Sequence, residues 1–501
     1  MVYISTRGGG QGVTSAAAIK TGIAPDGGLY VPAEQVTFAE EKIFSLAGLT
    51  YQERAVTILR PFLPEFTDEE VAGCVHNAYN ESSFHHPSVT PLVHLDEKLS
   101  VLELWHGPTC AFKDIALQML PHLLVKSMEK TGESARILIL VATSGDTGKA
   151  ALEGFRDVDR TAIMVFYPDE GVSQVQKLQM VTQEGNNVGV AAVKGNFDDT
   201  QSGIKKIFSN NAVSDEIAQY GYKFSSANSI NWGRLVPQIV YYFSAYADLL
   251  RDGVIKAGDM VNFVVPTGNF GNILAGYYAK MMGLPVNKLI CAANANNVLS
   301  DFIRTGIYDR NRRFVRTISP SMDILISSNL ERLLFALTEH NHARVRAWMN
   351  QLQDKGRYTV DEQITARIQK HFWSDYASDR ETIDTIKNTY RRYRYVVDTH
   401  TAVGLRVYEK FRLSGGDSCH TVVLSTASPF KFNASVAAAL LGEEQTSSRS
   451  EFDLLHMLAD ISGLPIPHGL RDLAKRKVIH KSVIERDKMR QAVISFVSGL
   501  K

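Results

Sequence analysis

Three short segments of the sequence contain residue types that bind anions or act as nucleophiles, and each directly precedes a helix-forming stretch. The first, residues 104–114 (LWHGPTCAFKD), carries Lys113 where the helical run IALQML begins. A helix N-terminus disfavours a cation, and burial among small and apolar residues lowers the pKa of a lysine. Such a lysine can act as an amine nucleophile. The plainer alternative is a surface lysine that pairs with Asp114.

The second segment, TSGDTG at 143–148, lies between the apolar run RILILVA and the helix former KAALEGF. Its glycines let the backbone approach a ligand. Its hydroxyls, together with the N–H groups of a helix N-terminus, can receive an anion such as a carboxylate. Considered alone, the segment is more typical of an ordinary turn between a strand and a helix.

The third segment, TGNFGN at 267–272, follows MVNFVVP and precedes ILAGYYAKMM. Glycines beside asparagines at a helix N-terminus can hold a phosphate with main-chain N–H groups and the helix dipole. The sequence contains no GxxxxGK[ST] motif, so nothing here indicates a nucleoside triphosphate. In isolation, a purely structural turn explains the segment equally well.

Buried strands are needed to bring these segments together. Apolar runs, several rich in β-branched residues and each followed by a Gly-, Ser- or Asn-rich turn, predict strands buried on both faces of a parallel sheet. They are residues 136–142, 161–167, 187–193, 260–265, 288–293 and 421–424. We therefore predict an α/β fold with helices on both faces. Ligands of such sheets bind beyond the carboxyl ends of the strands, so the three segments should line one cleft.

The length of 501 residues is enough for two or three domains. Residues 1–95 combine turns with helical stretches such as 67–79 and carry little strand signal, which predicts a helical N-terminal domain. Residues 96–450 form the predicted catalytic region, with two α/β subdomains and a helical insertion at about 297–395. Residues 451–501 are predicted to be a C-terminal helical segment.

Composition excludes several classes of function. With 54 basic and 53 acidic residues, the formal charge of +1 gives no field to hold nucleic acid or an anionic membrane. The four cysteines form no CxxC pair, so neither a zinc site nor a disulfide framework is predicted, and no metal is expected. No run approaches the length of a membrane span. We expect a cytoplasmic protein, and no sequence feature points to an oligomeric state.

In this order, HGPTCAFKD, ATSGDTG and VPTGNFGN resemble the threonine synthase family of pyridoxal-phosphate (PLP) enzymes, which is related to tryptophan synthase β. STRGG, APDGGLYVP, NSINWGRLVPQIVYY, SPSMDI and SNLERLL extend the resemblance over nearly the whole chain. The resemblance implies PLP-dependent fold type II, with open, mostly parallel sheets in two subdomains and a helical N-terminal domain. It also implies the last step of threonine biosynthesis, a lyase reaction that converts O-phospho-L-homoserine and water to L-threonine and phosphate.

The same resemblance assigns roles to individual residues. Lys113 becomes the catalytic lysine, bonded covalently to PLP. The cofactor-binding residues become Lys113, Gly268, Asn269, Phe270, Gly271 and Asn272, which hold the phosphate, and Thr426, the hydroxyl partner of the pyridine nitrogen. The loop that receives the substrate carboxylate becomes Ser144, Gly145, Asp146 and Thr147. In related enzymes an asparagine that contacts the cofactor's ring hydroxyl often stands where this chain has Asp146.

Elimination of phosphate from Cγ and addition of water at Cβ require a second anion site for the substrate phosphate. Arg234, in the NWGR segment, is the leading candidate, because a guanidinium binds phosphate with two parallel hydrogen bonds. The alternative is a structural arginine paired with a carbonyl or an acid.

Three other functions are compatible with parts of the pattern. A phospho-lyase that converts the same substrate to 2-oxobutyrate, phosphate and ammonia would share the lysine and glycine motifs. A serine/threonine dehydratase of the same fold class is disfavoured by the STRGG and APDGGLYVP blocks. A PLP-binding regulatory protein without turnover is disfavoured because Lys113, SGDTG and GNFGN are all intact.

Overall fold

The computed structural model describes residues 1–143, 145–170 and 172–500. The strands of this part are β1 (Tyr3–Ser5), β2 (Tyr30–Pro32), β3 (Leu92–Asp96), β4 (Leu99–Glu103), β5 (Arg136–Ala142), β6 (Thr161–Pro168), β7 (Val188–Val193), β8 (Tyr222–Ser225), β9 (Val261–Pro266), β10 (Val286–Ala293), β11 (Ile307–Asp309), β12 (Arg357–Thr359), β13 (Phe372–Tyr376), β14 (His420–Ser425) and β15 (Ser482–Ile484).

Helices connect and cover these strands. In the first half they are α1 (Ser15–Thr21), α2 (Glu40–Ser45), α3 (Tyr51–Leu59), α4 (Asp68–Ala78), α5 (Lys113–Lys130), α6 (Asp146–Phe155), α7 (Gln174–Val181), α8 (Phe197–Phe208), α9 (Asn211–Gln219), α10 (Trp232–Leu235) and α11 (Pro237–Arg251). In the second half they are α12 (Gly271–Met281), α13 (Val298–Thr305), α14 (Leu330–Leu337), α15 (His342–Lys355), α16 (Glu362–His371), α17 (Asp379–Tyr393), α18 (Thr399–Leu413), α19 (Asn433–Leu441), α20 (Glu443–Thr446), α21 (Glu451–Ser462) and α22 (Met489–Gly499).

Two separate sheets organise the chain. The larger has the strand order β13-β10-β9-β14-β4-β3, and only its β3–β4 pair is antiparallel. The smaller has the order β15-β7-β6-β5-β8 and is wholly parallel. Strands such as β6, β9 and β14 are buried at every residue, as expected of a sheet covered on both faces. The predicted α/β fold with two open, mostly parallel sheets is confirmed, as are all six predicted strands.

Several short strands were missed by the sequence analysis. Strand β13 lies inside residues 297–395 and forms one edge of the larger sheet, and β15 lies inside 451–501 and forms one edge of the smaller. The segments predicted as a helical insertion and a C-terminal helical segment thus contain strands beside their helices, because FWSDY and SVI are too short or too polar to give a strand signal. The N-terminal region likewise contains the antiparallel β1–β2 pair. The domain boundaries themselves stay predictions.

The described residues contain no helix long and apolar enough to cross a membrane, and no cluster of three or more metal-binding side chains. All four cysteines lie within the described part, and they are free.

Close packing of α5 on α6 fixes the spacing of two helices that begin at candidate site residues. At Gly154, in α6, an added Cβ would overlap the carbonyl oxygen of Leu117 in α5. Glycine at this position therefore allows the two helix backbones to touch. Their N-terminal residues, Lys113 and Asp146, are set relative to each other by this contact.

Replacing Gly154 tests this packing. Gly154→Ala should lower the free energy of unfolding by about 1–3 kcal/mol, because the methyl group forces α5 and α6 apart. Gly73→Ala is the matched control, since Gly73 lies in α4 and an added Cβ there meets no atom within 4 Å. The control should raise the free energy of unfolding by up to about 1 kcal/mol through helix propensity alone. Equal effects in urea unfolding would contradict the close contact.

Candidate active site

Neighbouring strands of the larger sheet deliver three of the candidate segments to one edge. Strands β9, β14 and β4 are adjacent and parallel, so the loops that follow them leave the sheet side by side. These loops lead to the 267–272 segment, to Thr426 and to Lys113 respectively. Two of them are joined directly, because the Phe112 N–H donates to the Thr426 carbonyl at 2.8 Å and the Ser428 N–H to the Cys110 carbonyl at 3.0 Å. The 143–148 segment reaches the same place from β5 of the smaller sheet.

Lys113 is enclosed, with 12% of its side chain exposed. Its Nζ lies 3.5 Å from Asp146 Oδ2 and donates to Ser321 Oγ at 3.4 Å. Burial lowers the pKa of Lys113, the charge of Asp146 opposes that shift, and Lys431 and Arg234 reinforce it. The alternative of a surface lysine paired with its neighbour is not what the structure has.

Asp114, the residue that follows Lys113, stabilises the turn before α5. Its carboxylate accepts hydrogen bonds from the Thr109 N–H at 2.8 Å and from the Thr109 hydroxyl at 2.7 Å. These bonds close the turn that leads into α5. Burial raises the pKa of Asp114 to about 6.

The carboxylate of Asp146 is the best-connected group in the cleft. Oδ1 accepts from Gln176 Nε2 at 2.8 Å and lies 3.1 Å from Lys431 Nζ. Oδ2 accepts from Ser321 Oγ at 3.0 Å and faces Lys113. Burial alone would raise the pKa of Asp146, but the charges of Lys431 and Lys113 outweigh it and hold that pKa well below its usual range.

Ser321 connects this carboxylate to a buried histidine. The Ser321 N–H donates to His400 Nε2 at 3.1 Å, and His400 Nδ1 lies 2.7 Å from Asp398 Oδ2. Because Nε2 accepts, the ring proton lies on Nδ1 and points at Asp398. Asp398 also caps α18, accepting from the N–H groups of His400 and Thr401.

The 267–272 segment has the properties of an anion cradle. Its carbonyls are already engaged, that of Gly268 by Ser327 Oγ at 2.8 Å and that of Asn269 by the Asn329 amide groups at 3.1 and 3.0 Å. In the described part of the chain, the N–H groups of Gly268, Asn269 and Phe270 donate to nothing. They are therefore available to a ligand, at the start of α12.

Asn272, in the first turn of α12, strengthens that interpretation. Its Oδ1 accepts from the hydroxyls of Tyr241 at 2.6 Å and Tyr242 at 2.9 Å. Its Nδ2 is buried and has no partner among the described residues. A buried donor without a partner is costly, so an acceptor is expected beside it.

At Gly271 an added Cβ would lie in ordinary van der Waals contact, 3.4 Å from Asn329 Nδ2. Gly268 is tighter, since a Cβ there would meet the Ser321 carbonyl oxygen at 2.8 Å. The cradle thus lies directly against the residue that contacts Lys113.

Arg234 is buried close to these groups. Its Nη1 donates to the Ala227 carbonyl at 2.5 Å, and its Nε has no partner in the described residues. Burial lowers its pKa to about 10, which still leaves the guanidinium charged at neutral pH. The hydrogen bond to the Ala227 carbonyl is what a purely structural arginine would form. The unpaired Nε, and the effect of the Arg234 charge on the pKa of Lys113, are instead typical of an anion-binding arginine.

The remaining candidates are less informative. Thr426 is buried, with 5% of its surface exposed. The Thr143 hydroxyl accepts from the N–H groups of Gly145 and Gly148, both at 3.0 Å, and so shapes the turn before α6. Thr147 lies half-buried in the first turn of that helix. Ser144 lies outside the described residues.

Five polar side chains complete the site, and the sequence predicted no specific role for any of them; Asp398 and His400 were expected only to line the cleft. The five are Gln176, Ser321, Asp398, His400 and Lys431. Two signals were present, since SPSMDI is one of the segments that resemble the family and DTHTA, at 398–402, combines an acid, a histidine and two threonines. A third was the lysine within the apolar run PFKF at 429–432.

His400 provides a test of this network. His400→Phe keeps an aromatic ring but removes the buried hydrogen-bond partner of the Ser321 N–H and of the Asp398 carboxylate. The free energy of unfolding should therefore fall by about 2–4 kcal/mol. His94→Phe is the control, because His94 also pairs with a carboxylate, Asp252 at 3.2 Å, but is one-third exposed. His94→Phe should lower the free energy of unfolding by less than about 1 kcal/mol. Denaturant unfolding at pH 7.5 measures both, and a small effect at His400 would refute the network.

Comparison with known proteins supports these observations. Residues 2–79 match the family model described as "Threonine synthase N terminus", and residues 401–493 match "Threonine synthase, C-terminal". The threonine synthase of Pseudomonas aeruginosa is 42% identical over 444 residues, which are 88% of this chain and 91% of that protein. Human threonine synthase-like 1 is 38% identical over 95% of this chain, which spans only 62% of that longer protein.

Two solved structures share the whole architecture. A PLP-bound threonine synthase from Brucella melitensis is 38% identical, with a TM-score of 0.87 and coverage of 99% of this chain and 98% of that one. The yeast enzyme is 35% identical, with the same TM-score and coverage of 99% and 97%. Sequence identity and fold agree over nearly the full length, and the chain therefore belongs to the threonine synthase family.

Proposed function

We propose that this protein is a PLP-dependent threonine synthase, which converts O-phospho-L-homoserine and water to L-threonine and phosphate. The observation that carries the proposal is the juxtaposition of an enclosed lysine of lowered pKa, Lys113, with an anion cradle at the ends of adjacent strands. Family membership over nearly the whole length supports the same reaction. The cytoplasmic location stays a prediction.

The residues present fit PLP. We propose that the unpaired N–H groups at Gly268, Asn269 and Phe270 and the Asn272 side chain bind the cofactor phosphate. Thr426 is proposed to offer its hydroxyl to the pyridine nitrogen. When bound, PLP supplies an electron sink for the carbanionic chemistry at the substrate carbons.

Lys113 is proposed to move the protons. Its lowered pKa leaves a larger fraction of neutral amine at physiological pH than an ordinary lysine has, so Nζ can accept a proton from substrate Cα and return one to the substrate. Ser321 Oγ and Asp146 Oδ2, at 3.4 and 3.5 Å, hold the amine in one position between transfers. Proton transfer needs a donor and an acceptor within hydrogen-bond reach, which this restraint provides.

Two anionic groups of the substrate need separate binding sites. We propose that the start of α6, at Gly145, Asp146 and Thr147, together with Ser144, receives the carboxylate. Arg234 is proposed to bind the phosphate through its unpaired Nε. The cations near Lys113 suit an anionic substrate, because Lys431 and Arg234 both act on Lys113, and Lys431 lies 3.1 Å from the Asp146 carboxylate.

A phospho-lyase outcome is the second candidate, and the relatives named threonine synthase-like 1 are the reason to keep it. That reaction would release 2-oxobutyrate, phosphate and ammonia. The synthase is favoured because the Pseudomonas threonine synthase is 42% identical to this chain and human threonine synthase-like 1 is 38% identical, and because two threonine synthase structures match it with a TM-score of 0.87.

Product analysis decides between the two. The PLP-loaded enzyme, supplied with O-phospho-L-homoserine, should yield threonine and phosphate in equal amounts and little 2-oxobutyrate. Lys113→Ala should abolish both turnover and the cofactor adduct that borohydride reduces. Lys126→Ala is the control, because Lys126 lies on the exposed side of the same helix and pairs with Glu129 at 2.8 Å. Chiefly 2-oxobutyrate and ammonia from the parent enzyme would establish the phospho-lyase instead.

Arg234→Met tests the phosphate site. Loss of a charged hydrogen bond to phosphate should raise the KM for O-phosphohomoserine by about 10- to 100-fold. A substrate held less firmly should also release more 2-oxobutyrate. Arg346→Met is the control, since Arg346 is exposed and donates to the Arg7 carbonyl. An unchanged KM and product ratio, with the variant folded, would make Arg234 a structural residue.

A further inference from the structure

Lys431 is the most completely buried cation of the cleft. Its side chain has 0% exposure, and it lies in the 3-10 turn Pro429–Phe432 that follows β14. Nζ donates to the Thr109 carbonyl at 2.7 Å and lies 3.1 Å from Asp146 Oδ1. An ammonium group buried this deeply requires a counter-charge, and Asp146 is the carboxylate in contact with it.

The ion pair joins the two halves of the site. Lys431 and Thr109 follow strands β14 and β4 of the larger sheet, whereas Asp146 begins α6 after β5 of the smaller sheet. Each oxygen of the carboxylate has its own lysine, because Oδ1 faces Lys431 and Oδ2 faces Lys113. Asp146 therefore carries one negative charge between two cations.

We propose that Lys431 is a positioning residue whose charge compensates Asp146, so that this carboxylate can hold the Lys113 nitrogen without repelling the carboxylate of the substrate. The proposal rests on the proposed function, which brings the substrate carboxylate to the loop that contains Asp146. A second anion in that loop would otherwise meet an uncompensated charge at short range in a buried site, where such repulsion is strong.

Charge also explains why this position is occupied by lysine and not by an apolar residue. In the PFKF run, the side chains of Phe430 and Lys431 are both buried in the interior. An apolar side chain there would satisfy packing alone, yet it would leave Asp146 Oδ1 with only the neutral Gln176 amide. Lys431, Lys113 and His400 act on Asp146. The charged groups that act on the Lys113 nitrogen are Asp146, Lys431 and Arg234.

The first test follows the colour of the PLP-bound enzyme as a function of pH, without substrate. A cation on the nitrogen that joins Lys113 to the cofactor is favoured by Asp146 and disfavoured by Lys431. Lys431→Met should therefore raise the midpoint of the absorbance titration by about one pH unit, and Asp146→Asn should lower it by a similar amount. The double variant should titrate near the parent.

The second test measures steady-state kinetics with O-phosphohomoserine. Lys431→Met should raise KM about tenfold and affect kcat less, because an uncompensated Asp146 opposes binding. Adding Asp146→Asn to that variant should return KM to within about threefold of the parent, since both charges are then absent. Lys410→Met is the matched control, because Lys410 also bonds a carbonyl, of Tyr376 at 2.6 Å, and a carboxylate, of Glu381 at 3.0 Å.

The proposal is overturned if Lys431→Met and Asp146→Asn shift the absorbance midpoint in the same direction. It is also overturned if the double variant has a higher KM than Lys431→Met. Lys431 would then be a packing residue. If Lys431→Met fails to fold, Asp146→Asn alone decides by its titration, and an unchanged midpoint overturns the proposal. Failure of the proposed function can be told apart from failure of the Lys431 proposal, because the titration uses no substrate. A parent enzyme that forms no threonine would refute the reaction while the opposite shifts still stood.

Discussion

The negative charge of Asp146 is the interaction on which the cleft depends. It is buried, and a carboxylate in that position is stable only because two lysines and two neutral donors surround it. Those donors come from both sheets, so the orientation of one sheet relative to the other is coupled to a single set of charge contacts. The close packing of α5 on α6 brings the Lys113 and Asp146 ends of these helices together before any ligand arrives.

The N-terminal region supports the site through hydrogen bonds. Arg7 forms two hydrogen bonds with Glu331 at 2.9 and 2.8 Å, and the adjacent Arg332 donates to the Tyr30 carbonyl at 3.0 Å and to Asn329. Asn329 in turn holds the carbonyl of Asn269 in the cradle. STRGG and SNLERLL, which lie far apart in the sequence, are thus joined by hydrogen bonds that reach residues 267–272.

Much of this arrangement could be predicted from the sequence. The long apolar strands gave clear signals, because burial on both faces demands uninterrupted hydrophobic runs, and the loops after β4, β5 and β9 were found from their glycines and polar residues. The edge strands β13 and β15 were missed, because an edge needs few residues and tolerates polar ones. Lys431 and Ser321 were missed for another reason: their roles come from contacts across more than 170 residues of sequence, which no local pattern records.

The position of β15 has a consequence for how the protein is made. This strand pairs with β7 at the edge of the smaller sheet, although almost 290 residues separate Val193 from Ser482. During synthesis on the ribosome, β7 therefore emerges long before its outer partner, and it exposes an unpaired edge while β9, β10, β13 and β14 of the larger sheet are being translated. The same delay applies to α22, whose Met489 and Val493 complete the hydrophobic cluster on that sheet. The edge of β7 consequently stays open in the nascent chain until β15 and α22 leave the exit tunnel, and the synthesis of these two elements sets the moment at which the smaller sheet can be completed.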